Sequence, residues 1–191
     1  MRSISVEHLR KTYGTQTVLN VVTFTAAEDQ ITCIMAPSGV GKTTLLRILM
    51  GLEQPDHGKV ELPSDCRWAA VFQEDRLLEQ LDVMENLRFV LGAELDEAAA
   101  QVLLEELGLE AWTGKPVREF SGGMKRRLAL ARALLAPSDA LALDEPFTGL
   151  DEENRTKAIA CIGRRTRGKP VLLVTHDEMD AVGLGAKVIR L

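Results

Sequence analysis

The sequence lacks any apolar run long enough to cross a bilayer. Its longest candidates, 128–136 and 171–174, fall far short of the roughly 20 residues that a spanning helix needs. It also lacks an export signal at its start: Met1-Arg2-Ser3-Ile4-Ser5-Val6-Glu7-His8 alternates polar and apolar residues as a strand does and has no apolar core, so export is not expected. Cysteine is scarce. Cys33, Cys66 and Cys161 are odd in number and far apart, which argues against a disulfide framework and against a metal-ligand spacing. A reducing, cytosolic compartment with three inert, buried thiols is the expectation. An excess of positive charge is missing too: Lys and Arg total 23 against 28 Asp and Glu, a net charge of −5, so no broad electrostatic grip on nucleic acid is expected. The two local basic clusters, Lys125-Arg126-Arg127 and Arg164-Arg165-Thr166-Arg167, fall on predicted helices and are read as solvated faces.

Repeats, low-complexity tracts beyond Ala98-Ala99-Ala100 and Pro/Gly linkers are absent, so the 191 residues read as a single domain. At 46% hydrophobic composition it can bury an ample core without staples. The apolar pattern predicts strands near 3–9, 17–25, 30–35, 58–62 and 67–72, and again near 139–143, 170–175 and 187–191. The runs Leu141-Ala142-Leu143 and Val171-Leu172-Leu173-Val174 are apolar at consecutive positions, as parallel strands covered on both faces are. Between the two strand groups, 83–91 and 96–107 show helical periodicity, the second stopping at Gly108. This is an α/β core with an inserted helical subdomain over about 74–137.

The most informative stretch is Ala36-Pro37-Ser38-Gly39-Val40-Gly41-Lys42-Thr43-Thr44, which follows the apolar run Ile31–Met35 and leads into Leu45-Leu46-Arg47-Ile48-Leu49. Strand, glycine-rich turn and helix in this order wrap successive backbone N–H groups around a polyphosphate and aim the helix dipole at the same anion. Lys42 then reaches the terminal phosphates, and Thr43 offers its hydroxyl to Mg²⁺. Ala36 stands where the P-loop pattern has its first glycine. Its methyl group is harmless if φ is negative and troublesome if φ is positive.

A second feature is Leu141-Ala142-Leu143-Asp144-Glu145, an apolar strand ending in two carboxylates. In a P-loop protein the acid at such a strand end holds the Mg²⁺ shell, a role for Asp144. Glu145 is then placed to take a proton from, or to orient, the attacking water. A third is Phe120-Ser121-Gly122-Gly123-Met124, in which Ser121 is a plausible N-cap and Gly122 and Gly123 leave the first helical N–H groups open to an anion. Spacing alone equally allows a serine-capped helix with no ligand.

The Phe120–Met124 segment resembles the Leu-Ser-Gly-Gly-Gln signature of ATP-binding cassette ATPases, and further marks of that family follow in order along the whole chain. Tyr13-Gly14 looks like the aromatic that stacks on adenine. Gln73 resembles the glutamine of the Q-loop, which also reaches the metal. Gly149-Leu150-Asp151 resembles the D-loop, and Thr175-His176-Asp177 the switch histidine. Singly, Tyr13 reads as a surface aromatic, Gln73 as a polar strand end, Asp151 as an N-cap and His176 as a loop histidine.

The resemblance implies a P-loop NTPase core with a mostly parallel sheet, an N-terminal antiparallel β subdomain and a helical subdomain. It implies ATP and Mg²⁺ as ligands and a head-to-tail dimer, homo or hetero, with ATP between the P-loop of one subunit and Ser121-Gly122-Gly123 and Asp151 of the other. It further implies a transmembrane permease, a solute-binding protein in the full system, and a peripheral place on the cytoplasmic face of the membrane. Val71–Leu78, Met124 and Asp144-Glu145-Pro146-Phe147 look like the importer branch that serves nitrate, sulfonate and taurine-type substrates. Three departures stand out: Ala36, Lys125-Arg126 where Arg-Gln is more usual, and a chain that stops at the strand 187–191, leaving no room for an appended regulatory domain. In the family the segment after the Q-loop glutamine, here Glu74–Leu81, lies beside the groove that receives a permease helix. Leu77 and Leu78 are expected either to pack inward or to form an exposed docking pair. The reading is an ATP-hydrolysing transporter subunit; an ATP-gated regulatory module of a non-transport complex is the alternative, and a P-loop small-molecule kinase leaves the signature and D-loop without a role.

Overall fold

The computed structural model describes residues 3–37 and 39–191. Two sheets organise them. An antiparallel sheet has the order β2 (Gln16–Ala27), β1 (Ser3–Tyr13), β4 (His57–Glu61). A five-stranded sheet has the order β5 (Trp68–Val71), β6 (Ala140–Asp144), β7 (Val171–Thr175), β3 (Ile31–Met35), β8 (Lys187–Arg190), with every pairing parallel. The described residues also form six α-helices: α1 (Lys42–Leu49), α2 (Val83–Leu91), α3 (Glu97–Glu106), α4 (Gly122–Leu135), α5 (Glu152–Arg165) and α6 (Glu178–Gly183). This is the α/β P-loop architecture expected, antiparallel sheet included.

The consecutive apolar residues of the parallel strands divide between two hydrophobic clusters, because neighbouring side chains on a strand point to opposite faces. Leu141, Leu143, Val171, Leu173 and Cys33 join a cluster with α2, α3, α4 and α5. Ala140, Ala142, Leu172, Val174 and Ile34 join another, with α1 and the antiparallel sheet. The carboxyl ends of β3, β6 and β7 therefore emerge together along one edge, between two packed layers. Ligands of open α/β sheets bind at such an edge.

β1 and β2 run longer than the predicted 3–9 and 17–25. Their register shifts between Val6 and Leu9, and His8 and Val21 both have positive φ. Bulges of this kind interrupt alternation without ending pairing, so the periodicity stops short of the real strand ends. The helical predictions hold more closely. Asp82 and Glu85 form a reciprocal capping box at the start of α2, and Asp96 caps α3 through the Ala99 N–H. Gly108, at φ 66, ends the α3 segment and donates its N–H to the Glu105 carbonyl. Burial pushes the Cys33 and Cys161 thiols up to about 11 each, as inert core groups. Cys66 departs from that expectation in being only half-buried.

Candidate active site

Between β3 and α1 the chain turns tightly. Gly39 and Gly41 have φ of 86° and 77°, and Gly41 is the N-cap of α1. A Cβ on Gly41 would lie 2.4 Å from the Val18 carbonyl oxygen of β2, so only glycine fits. Lys42 is 9% exposed, and its ammonium donates to the Ala36 and Pro37 carbonyls at 2.7 and 3.2 Å. Ala36 is buried and is not among the described non-glycine residues with positive φ, so its methyl group imposes no backbone strain. Ser38 lies outside the described residues.

Thr43 Oγ1 donates to Asp144 Oδ2 at 2.7 Å, joining the first turn of α1 to the end of β6 across 101 residues. Asp144 is 3% exposed; burial pushes its carboxyl above the ordinary aspartate value, against the pull of the Thr43 hydrogen bond. Glu145 follows with φ 50, and its N–H donates to the Val174 carbonyl at 2.8 Å. His176 Nδ1 donates to Glu145 Oε1 at 2.9 Å, and this hydrogen bond raises the histidine's pKa. Gly39, Gly41, Lys42, Thr43, Thr44, Gln73, Asp144 and Glu145 all line one cleft of about 340 Å³. A larger cavity of about 430 Å³ sits at the opposite end of the sheet, near Asp29, Gln30 and Lys169, and holds none of these groups.

The segment that presents His176 is braced from α5. Arg155 donates to Asp177 Oδ2 at 2.7 Å and forms an ion pair with Asp180 Oδ1 at 2.5 Å. Asp180 Oδ2 accepts from Thr175 Oγ1 at 2.6 Å. Asp177 also caps the start of α6.

Ser121, Gly122, Gly123 and Asp151 are not part of this cleft. Ser121 caps α4 through the Met124 N–H at 3.3 Å, and Asp151 caps α5 through Asn154 N–H at 2.8 Å. The two caps belong to one surface, for a Cβ on Gly123 would lie 2.8 Å from the Gly149 carbonyl oxygen. Tyr13 ends β1 in an exposed position outside the cleft. Its hydroxyl donates to Glu53 Oε1, and the Lys11 ammonium sits 5.4 Å from its ring centre.

The fold corrects one expectation and favours one branch of another. The Lys125-Arg126-Arg127 cluster is not a solvated face: Arg126 and Arg127 are 4% and 8% exposed. Arg127 donates to the Leu107 and Gly108 carbonyls at 2.5 and 3.1 Å, and Arg126 reaches the carbonyls of Phe72, Asp144 and Glu145. The sequence signal for this burial is the run Leu128–Ala136, apolar apart from Arg132, whose helix is buried on most of its circumference and buries the preceding turn as well. Nor do Leu77 and Leu78 form an exposed pair. Both are half-buried, Leu77 packs on the main core, and buried Asn86 bonds both the N–H and the carbonyl of Leu78, at 2.8 and 3.0 Å.

The family model described as "ABC transporter" matches residues 19–148. The chain is 40% identical over 192 residues to the aliphatic sulfonates import ATP-binding protein SsuB 1 of Nocardia farcinica (strain IFM 10152), a match covering 99% of this chain and 78% of that protein. It is 37% identical over 217 residues to the Nod factor export ATP-binding protein I of Ralstonia nicotianae (strain ATCC BAA-1114 / GMI1000), covering 98% of this chain and 66% of that one. A solved structure of an ATP-binding subunit of an ABC transporter superposes with a TM-score of 0.82 at 27% identity, over 93% of this chain and 81% of that one. Motifs, cleft and likeness agree: the chain belongs to the ABC transporter family, as one of its ATP-binding, ATP-hydrolysing subunits.

Proposed function

We propose that ATP occupies the cleft at the carboxyl ends of β3 and β6, and that Glu145 orients the water that attacks its γ-phosphoryl group. The observation that carries this reading is the 2.9 Å pair of Glu145 and His176, which continues directly from the Thr43–Asp144 hydrogen bond. On this reading Lys42 exchanges the Ala36 and Pro37 carbonyls for phosphate oxygens. The N–H groups of Ser38, Gly39, Val40, Gly41, Lys42 and Thr44 cradle the polyphosphate. Tyr13 flanks the adenine. His176 holds the Glu145 carboxylate in place and bridges it to the departing phosphate.

Thr43, Asp144 and Gln73 would hold Mg²⁺. They are hard oxygen donors, and the penalty of the buried Asp144 charge is relieved by a cation. Among the described residues no three His, Cys, Asp or Glu side chains form a metal cluster. This suits an ion that keeps its waters and takes phosphate oxygens. When bound, Mg²⁺ would neutralise charge on the phosphates.

Ser121, Gly122, Gly123 and Asp151 would act in trans, meeting the γ-phosphate held by a second subunit. Their exposed helix start, outside the chain's own cleft, supports a head-to-tail dimer, homo or hetero. In the full system we place this dimer on the cytoplasmic face of the membrane beneath a permease, with a solute-binding protein delivering a small anion of the sulfonate type. The helical subdomain, about 74–137, would carry the permease contact. Import is favoured by the sulfonate-import name of the 40% identical relative, over the export name of the other. Affinity purification from detergent-solubilised membranes should recover the permease, and the purified subunit should release phosphate from ATP and Mg²⁺ with no acceptor substrate. Dependence of phosphate release on an acceptor molecule would contradict the reading.

A further inference from the structure

Arg126 occupies the second turn of α4, almost completely buried, and its bonds go to the site rather than to solvent. One terminal nitrogen donates to the Phe72 carbonyl and lies 3.0 Å from Asp75 Oδ1. The other donates to the Asp144 carbonyl and, at 2.5 Å, to the Glu145 carbonyl, which Nε also approaches at 3.2 Å. The acceptors are the carboxyl-terminal ends of the paired strands β5 and β6, where carbonyls run out of ladder partners and must find other donors. Phe72 immediately precedes Gln73, and Asp144 immediately precedes Glu145.

Glu145 needs such support. Its φ of 50° is uncommon for a residue with a side chain and persists only where the surroundings over-determine it. Its N–H is fixed by the Val174 carbonyl and its carboxylate by His176, while its own carbonyl accepts from Arg126 at 2.5 Å and, at 3.3 Å, from the Thr148 N–H. A guanidinium suits this task because its five N–H groups form a rigid planar fork that serves several acceptors at once. A glutamine, the residue more usual at this place in the resembling pattern, brings two N–H groups and no charge.

We infer that Arg126 is a positioning residue for hydrolysis: it locks the backbone of Glu145, together with the strand end from which Gln73 departs, and acts on the chemistry through Glu145 rather than through ATP. This rests on Glu145 being the group that orients water.

The test is single-turnover hydrolysis and ATP affinity of the full chain, for Arg126→Gln and Arg126→Lys, each in the parental and in the Glu145→Gln background. A residue acting through Glu145 loses its effect once Glu145 is gone, so the double variants should be strongly non-additive. Arg126→Gln should slow the parent about tenfold, leave the ATP Kd within about twofold, and slow the Glu145→Gln protein less than about twofold. Lysine, which keeps the charge but not the fork, should do no better than glutamine. If vacating the buried site unfolds both variants, Asp75→Asn loosens the guanidinium with the arginine in place and should slow the parent alone, by about threefold. Equal losses in both backgrounds, an unchanged rate, or a loss confined to ATP affinity would overturn the inference. A Glu145→Gln protein that hydrolyses at the parental rate would overturn the proposed function as well, which separates the two failures.

Discussion

Glu145 and His176 come from neighbouring strand ends, 31 residues apart in sequence, and meet at 2.9 Å between Oε1 and Nδ1. The carboxylate accepts and the imidazole donates through Nδ1. The hydrogen bond favours the protonated ring and raises the pKa of His176.

That shift sets the sign of a pH dependence. A histidine bound more tightly to its proton in the folded state contributes stability that is complete below the unfolded value of about 6.5 and is lost as pH rises through the raised folded value. The thermal midpoint of the parent should therefore exceed that of Glu145→Gln most at low pH, with the difference shrinking above about 6.5. In an NMR titration, the His176 midpoint should fall in Glu145→Gln. An unmoved midpoint would remove Glu145 as the cause.

Asp144 moves stability with pH in the same direction, through burial rather than pairing. Its folded pKa is raised by burial, so stability falls as pH climbs from the unfolded value through the folded one, and at neutral pH the full burial penalty of the charge is present. Asp144→Asn keeps an acceptor for Thr43 and removes that penalty. In nucleotide-free, Mg²⁺-free buffer it should raise Tm by about 2–4 °C, the equivalent of about 1 kcal/mol in a chain of this size. It should also abolish Mg²⁺-dependent hydrolysis. A lower Tm would show that the charge stabilises the empty site.

At Ala36 the expected effect is small. With φ outside the positive region, Ala36→Gly should change ATP affinity by less than tenfold, under about 1.4 kcal/mol. Titration of both forms with nucleotide checks this. Much tighter binding by the glycine form would mean that the methyl group crowds the ligand.

The residues that form contiguous motifs are legible in the sequence itself: Lys42, Thr43, Asp144, Glu145 and His176 each announce themselves by their neighbours, and the first four line one cleft to which a hydrogen bond ties the fifth. The alternating clusters on β6 and β7 are legible for a related reason, since consecutive apolar residues demand two covered faces. Arg126 is not. Apart from the Asp75 carboxylate, its partners are main-chain carbonyls 18 to 54 residues away, and a carbonyl carries no sequence signature. Asn86 is equally silent, because it satisfies the backbone of Leu78 from inside a helix. The direction in which Leu77 points depends on what the core has room for, and the leucine packs inward.

In the proposed head-to-tail dimer, ATP held by Lys42 of one subunit and met by Ser121 of the other would close the pair, and hydrolysis at Glu145 would open it. Sedimentation velocity of Glu145→Gln with ATP and Mg²⁺ reads that closure. Loss of a general base costs on the order of 10²–10⁴ in rate without removing the phosphate contacts, so the ATP-bound state should accumulate. A dimer with ATP and a monomer with ADP or without nucleotide are expected, with hydrolysis slowed by that factor. A protein that binds ATP yet stays monomeric, or that turns over at the parental rate, would contradict it.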